Sequence, residues 1–354
     1  MRIQPGVAPI HIYVLLILSS GLVNHVLIIP VILSASGRDA WVSILLSIIP
    51  YILFILLIGS ALKKLGNQDI IHFIKERLGT VPVYLLSSVF ILYFFLNATI
   101  TFRDTITWTK TNYLMDSPPL ALCILLGLLC FFGTYKGLQE LSMVALIALP
   151  LVVTFGFFIA IGNIPNKDYS MLLPIAENGW SPMLKGGVYV LSGLTELSTL
   201  LFLVHHTNKT LKWKHLFFVS FVLVGLMLGP TMAAIAEFGP YEANNLRYPA
   251  FEQWKLLTIS KVITRMDFLS IFQWISGAFI RVSLLMFLVT KLINVKNHRI
   301  WLVASLYLVA IAYTLAPISN ISVFNFLYHY FFPIQMYVML PIISIVCLYV
   351  LVKK

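Results

Sequence analysis

Charge is what this sequence has least of. Asp, Glu, Lys and Arg make up 10% of its 354 residues, against about 25% in an ordinary soluble domain. That scarcity excludes a soluble catalytic or nucleic-acid-binding module. The net charge of +11 has no soluble basic domain to form a groove, and comes from Lys and Arg flanking apolar runs. Cysteine is equally sparse. Cys123, Cys130 and Cys347 each lie inside an apolar run without metal or disulfide spacing, and read as small core residues. There is no glycine-rich phosphate loop followed by Lys, no pair of metal ligands at helical spacing and no Ser/His/Asp set. These gaps disfavour an ATP-driven pump, a membrane protease or any other enzyme, and imply no cofactor.

What fills the chain is apolar: 60% hydrophobic residues and a mean hydropathy of +0.94. The apolar residues come in repeated runs of about 20, the length of a membrane-spanning helix, and do not alternate as barrel strands do. The chain is therefore an all-α polytopic membrane protein. Ten transmembrane helices are predicted, roughly over 9–33, 41–62, 81–108, 120–135, 141–161, 187–206, 216–235, 268–290, 301–316 and 331–351. The first reads as a retained span, lacking a small-residue cleavage site. Residues 1–354 form a single transmembrane domain with halves of about 9–162 and 186–352. Asp69–Leu78 carries its apolar side chains on one face and Lys75, Glu76 and Arg77 largely on the other, as a helix lying at the membrane surface does. The segments that hold Arg2, Lys63, Lys64, Lys75, Arg77, Lys136, Lys209, Lys212, Lys214, Lys291, Lys296, Arg299, Lys353 and Lys354 would all lie inside, so both termini are expected to be cytoplasmic. Gly37 is expected to turn the chain after the first span, with Asp39 capping the next helix.

The sixth span organises the rest. It carries Ser192, Gly193, Thr195, Glu196 and Thr199 where a span should be greasiest. A carboxylate at that depth costs roughly 2.5–3.5 kcal/mol and marks a functional site by default; it needs a partner, a water-filled cavity or a proton. The plainer alternative is that Glu196 ties two helices together. Arg281 is its natural counter-charge, with Asp104 as a rival for the arginine and snorkelling as the alternative for the arginine itself. The third span repeats polar residues at helical spacing: Tyr93, Asn97, Thr101, Asp104 and Trp108. The eighth repeats Gln273, Gly277 and Arg281. Both stripes are expected to face the interior that Glu196 faces. In the first span, Ser19-Ser20-Gly21 followed by Asn24-His25 and Pro30 signals a break, as Gly193 does in the sixth. Breaks at corresponding positions of two halves point to a midplane binding site. Freed NH groups there would suit a carboxylate and freed carbonyls with Glu196 an ammonium, together a small zwitterion such as an amino acid. The ligand-binding candidates are Gly21, Asn24, Tyr93, Asn97, Thr101, Ser192, Gly193, Thr195, Glu196, Gln273, Gly277 and Arg281.

Several short motifs, taken in order, resemble the B subunit of spore germinant receptors, the spore germination permeases of the amino acid–polyamine–organocation superfamily. They are Gly37-Arg38-Asp39-Ala40-Trp41, Gly137-Leu138-Gln139-Glu140 with Pro150, Leu173-Pro174 with Gly186, Tyr248-Pro249, and Arg265-Met266-Asp267 leading into Phe272-Gln273-Trp274. The resemblance implies a leucine-transporter-like inverted repeat with broken first and sixth helices. It implies a nutrient held by Gly21, Tyr93, Asn97, Gly193, Thr195 and Gly277, residence in the spore inner membrane, and A and lipoprotein C subunits as partners. A receptor that signals to those subunits, a secondary amino acid transporter and a purely structural scaffold remain the competing functions, of which the resemblance favours the first.

Overall fold

Inside a bilayer every backbone NH and C=O must be satisfied within the protein, which leaves helices as the economical solution for an apolar chain. The computed structural model describes residues 6–258, 265–294 and 298–353, and nearly all of them are helical. Arg2, Lys296 and Lys354, used above for orientation, lie outside the described residues.

Helix α1 (Pro9–Leu22) runs through a π-helical turn at Val23–Leu27 into α2 (Ile29–Ser36). Gly37, at φ +55°, reverses the chain into α3 (Ala40–Leu65). Asp39 does not cap α3: its carboxylate reaches across to the Ala176 amide at 3.0 Å, tying the turn to the loop ahead of the sixth span. The surface helix α4 (Ile70–Leu78) follows, capped by the Asp69 side chain and burying Ile70, Phe73 and Ile74 as its pattern predicts. Three long helices come next: α5 (Thr80–Asn112), α6 (Pro119–Lys136) and α7 (Leu138–Gly162), the last continuous through Pro150. The loop after α7 holds two short 3-10 turns, Ile164–Asn166 and Tyr169–Leu172.

The sixth span is segmented: α8 (Trp180–Leu194), a 3-10 turn at Thr195–Ser198, α9 (Thr199–Leu203) and a final turn at Val204–His206. Helix α10 (Trp213–Asn245) bends at Gly239, where φ is +76°, and leads to the short α11 (Pro249–Leu256). Helix α12 (Phe268–Ile293) occupies the centre of the bundle, packed along α5, α1, α6 and α7. Helix α13 (Arg299–Leu315) precedes the last span, which is built from α14 (Asn320–Phe326), α15 (Phe332–Ile334) and α16 (Leu340–Val352) joined by π turns at Leu327–Phe331 and Gln335–Met339. That span starts at Asn320, eleven residues earlier than the apolar run suggests. Ser319 caps it by accepting from the Ser322 amide, while Asn325 and His329 had broken the hydrophobic pattern.

Among the described residues eight apolar helical stretches are long enough to cross a bilayer, and the first, Pro9–Leu65, is 57 residues long. At 1.5 Å per residue it could not lie in one pass, and the turn at Gly37 divides it into two crossings. With the shorter α13, the described residues make ten. The two ends of the chain meet at one face of the bundle. Val7 NH bonds the His206 carbonyl at 2.8 Å, Asn67 bonds the Thr207 carbonyl at 2.7 Å, and Lys64 bonds the Leu351 carbonyl at 2.7 Å. An even number of crossings requires this. The three cysteines are free and buried.

Candidate functional site

The polar stripe of α5 faces inward in full: Tyr93, Asn97, Thr101, Asp104 and Trp108 are all buried. So are Glu196, in the 3-10 turn of the sixth span, and Arg281, on α12. The three elements meet around Arg281. Its guanidinium clasps Glu196 with two parallel bonds, Nη1 to Oε2 at 2.5 Å and Nη2 to Oε1. Nε donates to Thr101 Oγ1 at 2.8 Å, Nη1 also to the Ser19 carbonyl at 3.2 Å, and Nη2 also to Asn97 Oδ1 at 3.1 Å. A guanidinium has five N–H groups, and here every one is engaged. The arginine side chain has no exposed surface and the glutamate 3%, so Arg281 does not snorkel. Asp104 is not its partner.

Around this pair lies a second layer. Asn97 Oδ1 also accepts from Gln335 Nε2 at 3.3 Å, bringing the last span into the site. Tyr93 OH lies 3.3 Å from Thr195 Oγ1. Thr195, Ser192 and Thr199 return their hydroxyls to carbonyls three residues back in their own span, which competes with α-helical bonding and favours the tighter 3-10 turn there. Asn24 is fully buried, and neither its amide oxygen nor its nitrogen has a hydrogen-bond partner; the Ser20 hydroxyl one turn earlier has none either. A buried amide with nothing bonded is rare in a folded protein and calls for a reason.

Gly193 and Gly21 do not unwind. Residues on either side of both stay in the right-handed helical region, and the breaks lie just beyond them, as the π turn at Val23–Leu27 and the 3-10 turn at Thr195–Ser198. The backbone changes its bonding register without becoming extended, so few NH or carbonyl groups are freed. Gly193 serves close approach: a Cβ there would overlap Ile28 Cδ1 and come within 2.6 Å of Asn24 Oδ1. Gly21 faces Leu226, and a Cβ at Gly277 would lie 3.3 Å from Leu22 Cδ1, so both permit helix contact. Gln273 leaves the expected stripe. Its amide bonds the Val152 carbonyl on α7 at 2.8 Å, because two turns along α12 rotate it away from Arg281 toward the neighbouring helix. Of the twelve candidates, Asn97, Thr101, Glu196 and Arg281 form one connected network, with Tyr93 and Thr195 beside it. Ser192 and Gly193 lie one turn before Glu196 in the sixth span, and Asn24 touches that span at Gly193.

Sequence reasoning missed Gln335, although a lone amide in the middle of an apolar run was the signal. It missed the Ser19 carbonyl, which no side-chain pattern could reveal. It also missed the cover at the end opposite the termini. There Arg247 Nη2 and Tyr248 OH converge on Asp104 Oδ1 at 2.7 and 3.1 Å. Burial pushes the Tyr248 hydroxyl well above its ordinary pKa. Trp108 stacks on Trp274, with centroids 4.1 Å apart and planes 7° from parallel, and Phe251 of α11 meets Trp108 edge-on. At the termini's end a cavity of about 200 Å³ is lined by Lys136, Glu140, His205, His206, Lys291 and Arg299. Among the described residues no three His, Cys, Asp or Glu side chains converge as metal ligands would.

Set beside known proteins, the chain is similar to spore germination proteins. The chain is 39% identical over 327 residues to spore germination protein XB of Bacillus anthracis, covering 92% of each. It is 24% identical over 262 residues to spore germination protein KB of Bacillus subtilis (strain 168), covering 72% of this chain and 69% of that one. A shorter match, 27% over 155 residues, is to spore germination protein GerQB of Bacillus cereus, covering 42% and 41%. The permease family described as spore germination protein matches residues 9–323, and a match of that extent means that this chain, an integral membrane protein, belongs to that family.

Proposed function

We propose that this chain is the membrane-embedded B subunit of a nutrient germinant receptor, which binds a small nutrient, an amino acid, near mid-membrane and triggers germination through A and C subunits. The observation that carries the reading is the Glu196–Arg281 pair, enclosed at the meeting of α1, α5, the sixth span and α12, beside an unbonded Asn24 amide. A buried ion pair is weak evidence of stability, since well-packed apolar residues often do as well or better in its place. Its retention in the bilayer core, where ionisable groups are costly, is a mark of function. The family adds the germination context. On this reading the protein sits in the spore inner membrane with both termini on the spore core side, where Lys63, Lys64, Lys75, Lys136, Lys209, Lys212, Lys214 and Arg299 gather.

The register changes in the first and sixth spans also favour a second reading, a secondary amino acid transporter built from halves 9–162 and 186–352, because interrupted helices at matching positions are the mark of such carriers. Two experiments separate these. Spores lacking this chain, screened against amino acids, sugars and nucleosides, should lose the response to one nutrient class and keep the others; an unaltered panel would reject the receptor. Proteoliposomes holding this chain alone should bind the nutrient without accumulating it; robust concentrative uptake would establish the transporter instead.

A further inference from the structure

Arg281 has no free donor. To bind a ligand's carboxylate it must release Glu196, whose carboxylate, among the described residues, accepts only from Arg281. We propose that the Glu196–Arg281 pair stands in for the nutrient's own two charges. The ligand's carboxylate replaces Glu196 on Arg281, and its ammonium replaces Arg281 on Glu196. This rests on the reading of the Glu196–Arg281 network as the nutrient site and goes further, because it makes the pair the element that sorts ligands by charge.

The two partners are held unequally. Three bonds fix the guanidinium without Glu196: those to Thr101, Asn97 and the Ser19 carbonyl. Glu196 rides on a four-residue 3-10 turn between two helices, the less regular of the two supports. The carboxylate is therefore the partner that swings away, and the guanidinium stays as a preformed anion receptor. A ligand with only an anionic group would occupy Arg281 and leave Glu196 as an uncompensated buried charge. A ligand with only a cationic group would do the reverse. Either outcome is strongly unfavourable in a low-dielectric interior. A zwitterion exchanges one internal pair for two intermolecular ones and leaves no charge alone. A neutral sugar or nucleoside gains nothing from opening the pair. Asn24, with both amide atoms unbonded and close to Gly193 in the sixth span, supplies a donor and an acceptor for the rest of the ligand.

The test uses the full chain in nanodiscs. Each of the common amino acids is titrated, and the tightest binder is compared with its methyl ester, which keeps only the cation, and its N-acetyl form, which keeps only the anion. Both derivatives should bind about 100-fold more weakly, the loss expected when a charged hydrogen-bonding group has no partner. In Glu196→Gln the order should invert for the anion, so that the N-acetyl form binds at least as well as the parent amino acid; in Arg281→Gln the methyl ester should gain the same advantage. The comparison of derivatives on the unaltered protein needs no variant to fold. If the parent amino acid binds and both derivatives bind within about threefold of it, the exchange is wrong while the nutrient site stands. If the N-acetyl form binds the unaltered protein tightly, and tighter still at acid pH, a proton on Glu196 replaces the ammonium and the need for a zwitterion is overturned. If no amino acid binds, the site reading itself fails, and with it the exchange.

Discussion

Gln335 donates its amide to Asn97 Oδ1 across the centre of the bundle, at 3.3 Å. The same oxygen receives Arg281 Nη2 at 3.1 Å, so one residue, Asn97, links the last span to the ion pair. Gln335 opens the second of two π turns in that span, and π turns inside α-helices gather at functional sites. Replacing Gln335 with Leu removes one interhelical bond, worth about 0.6 kcal/mol on average in a membrane. Thermal stability in detergent should therefore barely change. The nutrient concentration for half-maximal germination, measured at matched protein levels, should rise roughly threefold, the same energy expressed as affinity. A large loss of stability with an unchanged dose response would make Gln335 a packing residue only.

The charge pair allows a thermodynamic cycle. Breaking a buried pair from one side strands the other ion and typically costs about 3–5 kcal/mol, whereas replacing both with apolar residues is often neutral. Glu196→Leu and Arg281→Met should each lower the unfolding midpoint of the purified protein strongly. The double variant should recover much of that loss. Losses that simply add would mean that the two side chains do not depend on each other.

At the opposite end from the termini, Arg247 and Tyr248 hold α11 over the site by their bonds to Asp104. A hydrogen bond to a charged group contributes about 1.5–3 kcal/mol. Arg247→Gln should let α11 open more often, and amide hydrogen exchange over Pro249–Leu256 should speed up roughly tenfold or more. Unchanged exchange would assign the hold on α11 to the Trp108, Phe251 and Trp274 rings alone.

The fold was legible because a bilayer leaves the chain so few options. Runs of apolar residues gave the helices, Gly37 gave the turn, and the four-residue spacing of Tyr93, Asn97 and Thr101 gave the buried face of α5. The site was legible where charge at depth demanded an answer, which is why Glu196 and Arg281 could be paired from the sequence. It failed where geometry depends on helix rotation over several turns. Gln273 sits two turns from Arg281, far enough for the drift of 3.6 residues per turn to carry it toward α7. The small residues were also read too simply. Glycine beside a polar residue suggests unwound backbone, but at Gly21 and Gly193 it reports two helices in close contact, and the real irregularities are bonding-register changes that begin two residues later.

Close contact at Gly193 gives the last test. A Cβ there would overlap Ile28 Cδ1, sit 2.6 Å from Asn24 Oδ1 and 3.0 Å from Met227 Cε. Gly193→Ala should therefore destabilise by about 1–3 kcal/mol, the usual penalty of overpacking, and should push the first span away from the sixth where Asn24 lies. Ile28→Val removes the atom that overlaps and alone costs about 0.5–1.5 kcal/mol. Combined with Gly193→Ala it should cost less than the sum of the two, because the new methyl group occupies space the valine vacates. Rescue should be partial, since Asn24 Oδ1 remains in the way. Thermal midpoints of the four proteins check the cycle, and strict additivity would mean that Gly193 is not where the two spans touch.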